Sequence, residues 1–163
     1  MRFFHSIICA LALLTSVQSC GVFGQTSAEP SEAVLNASPE NGIYISVNTI
    51  IGKMGRPIHS VDGYYLRIRD GKLSSYLPFF GESYFSAGYG TSSGIMFEDC
   101  PVQVSESTTK HARVWSFTGT QGQERIEVTV EFTESGSATV TCQSNQRSMM
   151  RYLGEVVTPP DDK

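Results

Sequence analysis

The chain has 163 residues, with 16 Asp and Glu against 12 Lys and Arg and a formal net charge of −4. This balance argues against a nucleic-acid binder, because binding to nucleic acid depends mainly on Lys and Arg that neutralise phosphates. It also argues against electrostatic docking on anionic lipid.

Residues 1–19 have the organisation of a lipoprotein signal peptide. Arg2 supplies a positive charge, and the apolar run from Phe3 to Thr15 is shorter than the roughly 20 apolar residues that span a bilayer. Val17-Gln18-Ser19-Cys20 then places an aliphatic and a small residue before a cysteine, which is typical of a cysteine that becomes diacylated. The alternative is an ordinary secretory signal cut after Gly24.

The lipoprotein interpretation predicts an exported protein that is anchored to a membrane through Cys20 and has no transmembrane segment. The lipids would supply about 0.8 kcal/mol per buried methylene. Gly21, rather than Asp, follows the cysteine and favours the outer membrane, with its periplasmic and surface faces both open.

Three parts of the chain are expected to remain after the signal peptide 1–19 is cleaved off. Residues 20–41, rich in Ser, Ala, Glu and Pro, are predicted to be the lipidated N-terminus and a flexible spacer. A short helix at Ser31 to Asn36 is compatible with that composition. Residues 42–157 are predicted to form one β domain, and residues 158–163 a disordered tail.

Alternation of polar and apolar residues from Gly42 onward predicts strands. Tyr64 to Arg69 and Lys72 to Leu77 form a predicted hairpin around Asp70-Gly71, where a type I′ turn belongs. Further strands are predicted where Ile43, Ile45, Val47 and Thr49 share one face, and at Val102 to Ser105, Ala112 to Thr118, Glu124 to Thr133, Ser137 to Gln143 and Met149 to Val157. Arg125 to Phe132 alternates without interruption, so one of its faces should be buried and the other exposed.

Short strands, Gly-containing turns and no amphipathic helix predict an all-β fold: a single antiparallel β-barrel or curved β-sandwich of about eight or nine strands. The length of about 115 residues suffices for one core. A closed lipocalin-like barrel and an open curved sheet give the same alternation, so both remain open.

Three groups of residues carry a resemblance to a known family. Gly63-Tyr64-Tyr65-Leu66-Arg67-Ile68 with Asp70 is similar to its element GYYLRIKGD, and Tyr76-Leu77-Pro78-Phe79-Phe80-Gly81 with Tyr84, then Gly94-Ile95-Met96-Phe97, is similar to LPYFGRAY and GGIxF. Ala138, Val140, Ser144, Arg147-Ser148, Tyr152 and Gly154 fit its C-terminal pattern. The chain thus resembles the domain-of-unknown-function 4251 family, small exported proteins and predicted lipoproteins of Bacteroidetes. The resemblance covers residues 42–157 and implies no catalytic residues.

The aromatic block after Ser75 is the first place to look for a site. Pro78 cannot donate to a ladder and marks a strand end, and the glycines that follow permit a tight excursion. The favoured interpretation is that the rings fill one end of the core. Alternatively they form a binding rim for a small apolar or carbohydrate ligand, or for a protein partner. The residues of this expected rim are Tyr76, Phe79, Phe80, Tyr84, Phe85 and Tyr89.

Cys100 and Cys142 remain in the folded part and are disulfide candidates in an oxidising compartment. A bridge would close a loop of roughly 40 residues, for which chain entropy gives about 4 kcal/mol. The alternative is two separate buried thiols. The cysteines and histidines lack the spacing of a zinc site, so no metal or other cofactor is expected.

The other polar candidates suggest little chemistry. Glu98-Asp99 is expected in a solvated loop rather than at a cation. His59 is expected in a loop and His111 at a hairpin end in solvent, without the positioned partners of catalysis. Arg147 is expected to hydrogen-bond carbonyls at one end of the barrel. No catalytic residue is predicted.

The sequence therefore predicts a lipoprotein whose non-catalytic β domain is a binding or accessory module of the cell envelope. Its expected partners are the membrane, through Cys20, and a small apolar ligand or an envelope protein. The alternative is a structural or protein-interaction component that docks through an edge strand. A hydrolase-like enzyme is a distant third. A cavity lined by Tyr76, Phe80 and Tyr84 would favour the binding module, and a solid core with an exposed apolar edge would favour the alternative.

Overall fold

A computed structural model describes residues 31–51, 55–80 and 94–160. Cys20, the predicted signal peptide and three residues of the expected rim, Tyr84, Phe85 and Tyr89, lie outside these ranges. Within them the chain forms one short helix and nine strands: α1 (Glu32–Asn36), β1 (Ile43–Ile51), β2 (Pro57–Arg69), β3 (Lys72–Pro78), β4 (Gly94–Pro101), β5 (Ser105–Thr108), β6 (Arg113–Gln121), β7 (Glu124–Phe132), β8 (Ser137–Ser144) and β9 (Met150–Val156). The short helix confirms the expectation for Ser31 to Asn36.

The nine strands form one antiparallel sheet in the order β4-β3-β2-β1-β9-β8-β7-β6-β5. The sheet curls into a half-barrel, which confirms the predicted all-β fold. β9 pairs with β1, so the first and last strands lie together in the middle of the sheet. β4 and β5 are its two edges.

The hairpin of β2 and β3 is formed as predicted. Asp70 and Gly71 connect the strands with φ angles of 52° and 68°, and Arg69 pairs directly with Lys72. Two positive φ angles in a two-residue loop are the signature of a type I′ turn, whose twist matches that of the flanking strands.

β7 confirms the uninterrupted alternation. The apolar side chains from Ile126 to Phe132 are buried, while Arg125, Glu127 and Glu131 are exposed. The face of β7 that carries Ile126, Val128, Val130 and Phe132 is therefore the one that packs on the core.

β1 departs from simple alternation near its end. The inward residues from Ile43 to Thr49 are buried as expected, but Ile50 is buried as well. The register of β1 against both neighbours shifts between Val47 and Thr49. Against β9, Asn48 is the extra residue of a β-bulge, because Val47 and Thr49 pair with the consecutive residues Gly154 and Leu153. Against β2 the extra residues lie in β2, between His59 and Tyr64. The irregularity turns Ile50 toward the core.

The strand predicted at Val102 to Ser105 is wrong. The structure has β4 before this segment, and β5 begins at its last residue. β4 is hard to recognise because its register against β3 shifts opposite Ser74. Glu98 and Asp99 both oppose that serine and are both exposed, so they lie in a bulged strand instead of the expected loop. Asp99 has a φ of 46°, its N–H donates to the Ser74 hydroxyl, and that hydroxyl donates to its carboxylate at 3.1 Å.

Side chains fill the interior of the half-barrel. Trp115, Tyr152 and Phe132 are the largest of the fully buried ones. Trp115 meets Phe132 edge to face, with ring centroids 5.5 Å apart and an interplanar angle of 86°. Such a pair contributes about 0.5–1.5 kcal/mol beyond its buried area. In the described part of the chain, the interior is therefore a packed core and not a lipocalin-like ligand cavity.

The two cysteines of the domain are free thiols in the structure, which agrees with the alternative of two separate thiols and not with the candidate Cys100–Cys142 disulfide. Cys100 is half-buried on the edge strand β4, and Cys142 is buried on β8. Four strands separate β4 from β8 in the sheet, which explains why the thiols do not bridge. Burial raises the pKa of Cys142 to about 12, because a thiolate at that position would lose its hydration.

The two ends of the half-barrel differ. One, here called the helix end, carries α1, the β2–β3 turn and the β7–β8 turn; the other, the rim end, carries the end of β3, the start of β4 and the β8–β9 connection. At the helix end, Arg113 donates to the Ala37 carbonyl at 2.9 Å and to the Glu106 carboxylate at 2.6 and 2.8 Å. Val34 of α1 and Ala37, which directly follows the helix, are buried against the core. No helix in the described ranges is long and apolar enough to cross a membrane.

Candidate functional site

Exposed apolar side chains gather at the rim end. Ile58, Tyr76, Phe80 and Met149 are 46%, 49%, 56% and 50% exposed, and among the described residues only Leu35 joins them as an exposed large apolar side chain. Leu35 lies on α1, at the opposite end. We call the first four residues the apolar rim.

The sequence puts each member of the apolar rim at or near a strand terminus. Ile58 is the second residue of β2, Phe80 follows the end of β3 and Met149 directly precedes β9. Because neighbouring strands are antiparallel, the start of β2, the end of β3 and the start of β9 all lie at one end of the sheet. Tyr76, two residues before the end of β3, pairs with Tyr65, and its ring lies 5.5 Å from that of Tyr64.

Beside the rim, Arg147 and Glu124 form a buried ion pair. The Nη2 and Nε atoms of Arg147 donate to Glu124 Oε2 at 2.5 and 2.9 Å. The side chains are only 14% and 6% exposed. The Ser144 hydroxyl donates to the other oxygen of Glu124 and accepts the backbone N–H groups of Gln146 and Arg147 at 2.9 and 3.3 Å. Every group of this network therefore has a partner, which is what a buried charge needs.

The Arg147 guanidinium also links the end of β3 to the start of β4. Arg147 Nη1 donates to the Gly94 carbonyl at 3.0 Å, at the start of β4. Its Cζ lies 5.2 Å from the centre of the Phe79 ring, just after β3. This confirms the expectation that Arg147 hydrogen-bonds a carbonyl at the end of the barrel. A Cβ at Gly94 would lie 2.9 Å from the Leu77 carbonyl oxygen, so close pairing of β3 and β4 there requires glycine.

Tyr152 ties the rim to the core. Its hydroxyl donates to the Pro78 carbonyl at 2.8 Å, while its ring is fully buried. The pKa of Tyr152 is raised above its usual value. Burial is the largest cause and the nearby Cys142 adds to it, whereas Arg147 lowers the pKa. The phenol therefore stays protonated and keeps donating. Together, Tyr152 and Arg147 hold the rim on a rigid support.

Three residues of the expected rim, Tyr76, Phe79 and Phe80, lie in the described ranges, and two of them are exposed. Tyr76 and Phe80 are exposed, which contradicts the favoured interpretation that these rings fill the core. Phe79 is partly buried beneath Arg147 and packs against the core. Sequence reasoning missed Ile58, Met149 and Glu124. A signal for Glu124 was available, because extending the alternation of β7 back from Ile126 places Glu124 on the buried face.

The remaining polar candidates do not form a site. His59 lies within β2 and not in a loop, with Nδ1 3.2 Å from the Thr49 hydroxyl. His111 is exposed in the β5–β6 connection, as expected. Glu98 and Asp99 lie in the β4 bulge. Within the described ranges, no group of three or more His, Cys, Asp or Glu residues is arranged to hold a metal ion.

Comparison with known proteins identifies the family. Residues 26–156 match the family described as domain of unknown function (DUF4251). The match covers all the strands, the Glu124–Arg147 pair and the apolar rim. A search of curated proteins gives no match. Since the family match extends over more than half of the chain, the protein belongs to the DUF4251 family.

Proposed function

We propose that this protein is a lipid-anchored binding or accessory module of the cell envelope and that its apolar rim meets a ligand or partner. No catalysis is proposed for the β domain. The proposal rests on one observation: four of the five exposed large apolar side chains of the described residues lie at the rim end. Single apolar residues are normal on a protein surface, but a group of them favours a contact site.

The position of the predicted anchor supports a contact role for the rim. The chain enters the domain through α1, at the helix end, and residues 21–31 between the predicted anchor and α1 span at most about 40 Å when extended. With lipids on Cys20, the helix end would face the bilayer. The apolar rim would then face away from the membrane, toward other components of the envelope.

The rigid support beneath the rim also favours binding. The Arg147 guanidinium and the Tyr152 hydroxyl fix the end of β3 from two sides. A surface that is ordered before binding loses less conformational freedom when a partner arrives. The rim therefore suits a specific contact with either a small apolar ligand or the apolar face of an envelope protein.

Docking through an edge strand has less support. β5 has only four residues, all exposed, and includes Glu106. β4 has the bulge at Asp99 and ends at Pro101. Short, bulged and charged edges are features that prevent pairing with another strand. We therefore favour the rim over the sheet edges as the contact surface.

Site-specific photo-crosslinking in cells tests the rim. A benzoylphenylalanine placed at Phe80 or Met149 should capture a defined partner or ligand. The same group at Leu35 is the control, because Leu35 is also a large apolar side chain, at the helix end, and is more exposed than Phe80 and Met149.

One result would support the proposal and two would contradict it. A species captured at Phe80 and Met149 but not at Leu35 would support the rim. Equal capture at all three positions would contradict it. Capture at none of them would also contradict it, provided that native mass spectrometry of the purified protein finds no small molecule that is lost in Phe80→Ser/Met149→Ser.

A further inference from the structure

Three exposed arginines lie at the same end of the sheet as the apolar rim. Arg56 directly precedes β2 and is two residues from Ile58, and Arg151 is two residues from Met149 in β9. Arg125 is the second residue of β7, which lies two strands from β9 in the sheet, or roughly 10 Å away. Because β2, β7 and β9 all begin at the rim end, the three arginines border the apolar rim.

Within the described ranges, none of these three arginines forms an ion pair, and the ion pairs that occur there involve other arginines. Among the described residues that begin or end a strand at the rim end, Glu124 is the only acid, and Arg147 already neutralises it. The next acid of β7, Glu127, lies three residues further along the strand, or roughly 10 Å. The rim end therefore presents positive charge around an apolar centre.

Most acids of the described residues lie toward the other end. Glu32 is on α1, Glu134 is in the β7–β8 turn, and Glu155 is near the end of β9. A strand as long as β1 spans about 30 Å, which is several times the Debye length of about 8 Å at physiological ionic strength. A molecule at the rim therefore meets mainly the arginines, although the chain has a net charge of −4.

An apolar centre bordered by arginines is typical of a protein–protein interface. The middle of such an interface is poor in charged residues, its periphery is polar, and arginine is enriched. The planar guanidinium can bind a carboxylate through two parallel hydrogen bonds. A small apolar ligand would have no group for the arginines to bind.

We propose that the partner of the apolar rim is an acidic protein, whose contact surface has an apolar centre bordered by Asp and Glu. This inference rests on the proposed contact role of the rim and specifies the chemistry of the partner. An anionic membrane has the same sign of charge, but an anchor on Cys20 would turn the rim away from the bilayer. A protein partner is therefore favoured over a lipid surface.

Selection from a library of random short peptides displayed on phage tests this proposal. The target is the mature chain from residue 20, with Cys20→Ser to prevent lipidation. We expect the enriched peptides to combine large apolar residues with more Asp and Glu than the unselected library contains. Selection against Phe80→Ser/Met149→Ser should not enrich these peptides.

Binding kinetics of the most enriched peptide separate the charged contribution from the apolar one. Arg56→Gln/Arg151→Gln should lower the association rate constant about tenfold, because peripheral charges act mainly on association. Phe80→Ser should instead raise the dissociation rate constant. Replacing Asp and Glu of the peptide by Asn and Gln should slow association as the double variant does, and added salt should reduce both differences.

Lys72→Gln/Lys110→Gln is the matched control for the arginine variant. It also removes two exposed positive charges, but at the helix end. The association rate constant should change less than twofold, because the two lysines are several Debye lengths from the rim. Unchanged urea midpoints confirm that each variant folds.

Three outcomes would overturn the acidic partner and leave the contact role of the rim intact. The first is a set of enriched peptides that depend on Phe80 and Met149 but have no excess of acid. The second is an equal loss of association rate in the two double variants. The third is co-sedimentation of the mature chain with phosphatidylglycerol vesicles that is lost in Arg56→Gln/Arg151→Gln, which would assign the rim to a lipid surface. If no enriched peptide depends on Phe80 or Met149, the proposed contact role fails as well.

Discussion

Breaking the buried Glu124–Arg147 pair should destabilise the fold by several kcal/mol. Removing one partner of a buried pair typically costs about 3–5 kcal/mol, because the other charge remains buried and unpaired. Arg147→Met leaves Glu124, only 6% exposed, with Ser144 as its remaining donor, and takes the donor from the Gly94 carbonyl. We expect it to lower the free energy of unfolding by about 4 kcal/mol.

A double variant separates the free-energy cost of leaving one buried charge unpaired from the net contribution of the ion pair to stability. Glu124→Gln/Arg147→Met removes both charges, so the remaining cost is a few hydrogen bonds at about 1 kcal/mol each. We therefore expect the double variant to lose only about 2 kcal/mol, less than Arg147→Met alone. A coupling energy of a few kcal/mol would follow from the cycle.

Urea denaturation followed by fluorescence measures these differences. Trp115 is a convenient probe, since it is the only tryptophan of the chain and is fully buried. Arg151→Met and Glu155→Gln remove exposed charges from β9 and serve as controls, with expected changes within about 0.5 kcal/mol. The reasoning is refuted if Arg147→Met costs less than 1 kcal/mol, or if the double variant loses the sum of the two single losses.

Three further predictions concern other parts of the molecule. At pH 8 the native protein should be alkylated at Cys100 and not at Cys142, since burial raises the pKa of Cys142 to about 12; peptide mapping that finds a bridge between them would contradict this. Gly154→Ala should cost more than about 3 kcal/mol in a thermal melt, because a Cβ there would lie 2.1 Å from a backbone oxygen of β1; Gly122→Ala, with open space but a φ of 62°, should cost only about 1–2 kcal/mol, and equal costs would refute the packing argument. Cys20→Ala should move the protein from the membrane fraction to the soluble fraction, and continued membrane association would rule out a lipid anchor on that residue.

The elements that were predicted correctly are those whose local sequence pattern is compatible with only one local structure. Asp70-Gly71 between alternating segments fits only a tight hairpin turn, and the run from Arg125 to Phe132 can bury only one of its faces. Both are read from neighbouring residues. For this reason they needed no knowledge of the rest of the fold.

The elements that were missed depend on partners distant in the chain. Ile50 is buried because the register of β1 shifts at Asn48 against β9 and at residues 60–63 of β2, and the bulge at Asp99 depends on Ser74. The Glu124–Arg147 pair joins residues on either side of β8. The four residues of the apolar rim likewise come to one end of the sheet because of the strand order, which cannot be derived from the alternation of polar and apolar residues.

The attachment of α1 has a mechanical consequence. A pull between a lipid anchor at Cys20 and a partner held at the apolar rim would enter the domain at the helix end and run along the strands. The first groups to bear it would be the Arg113 contact with Ala37 and the Ser31 N–H bond to the Glu134 carbonyl. Beyond them, the load would shear the β1–β2 and β1–β9 ladders lengthwise, with many hydrogen bonds sharing it, instead of opening them one bond at a time. If the chain is anchored through Cys20, the placement of the first strand in the middle of the sheet would suit the domain to transmit tension from the membrane.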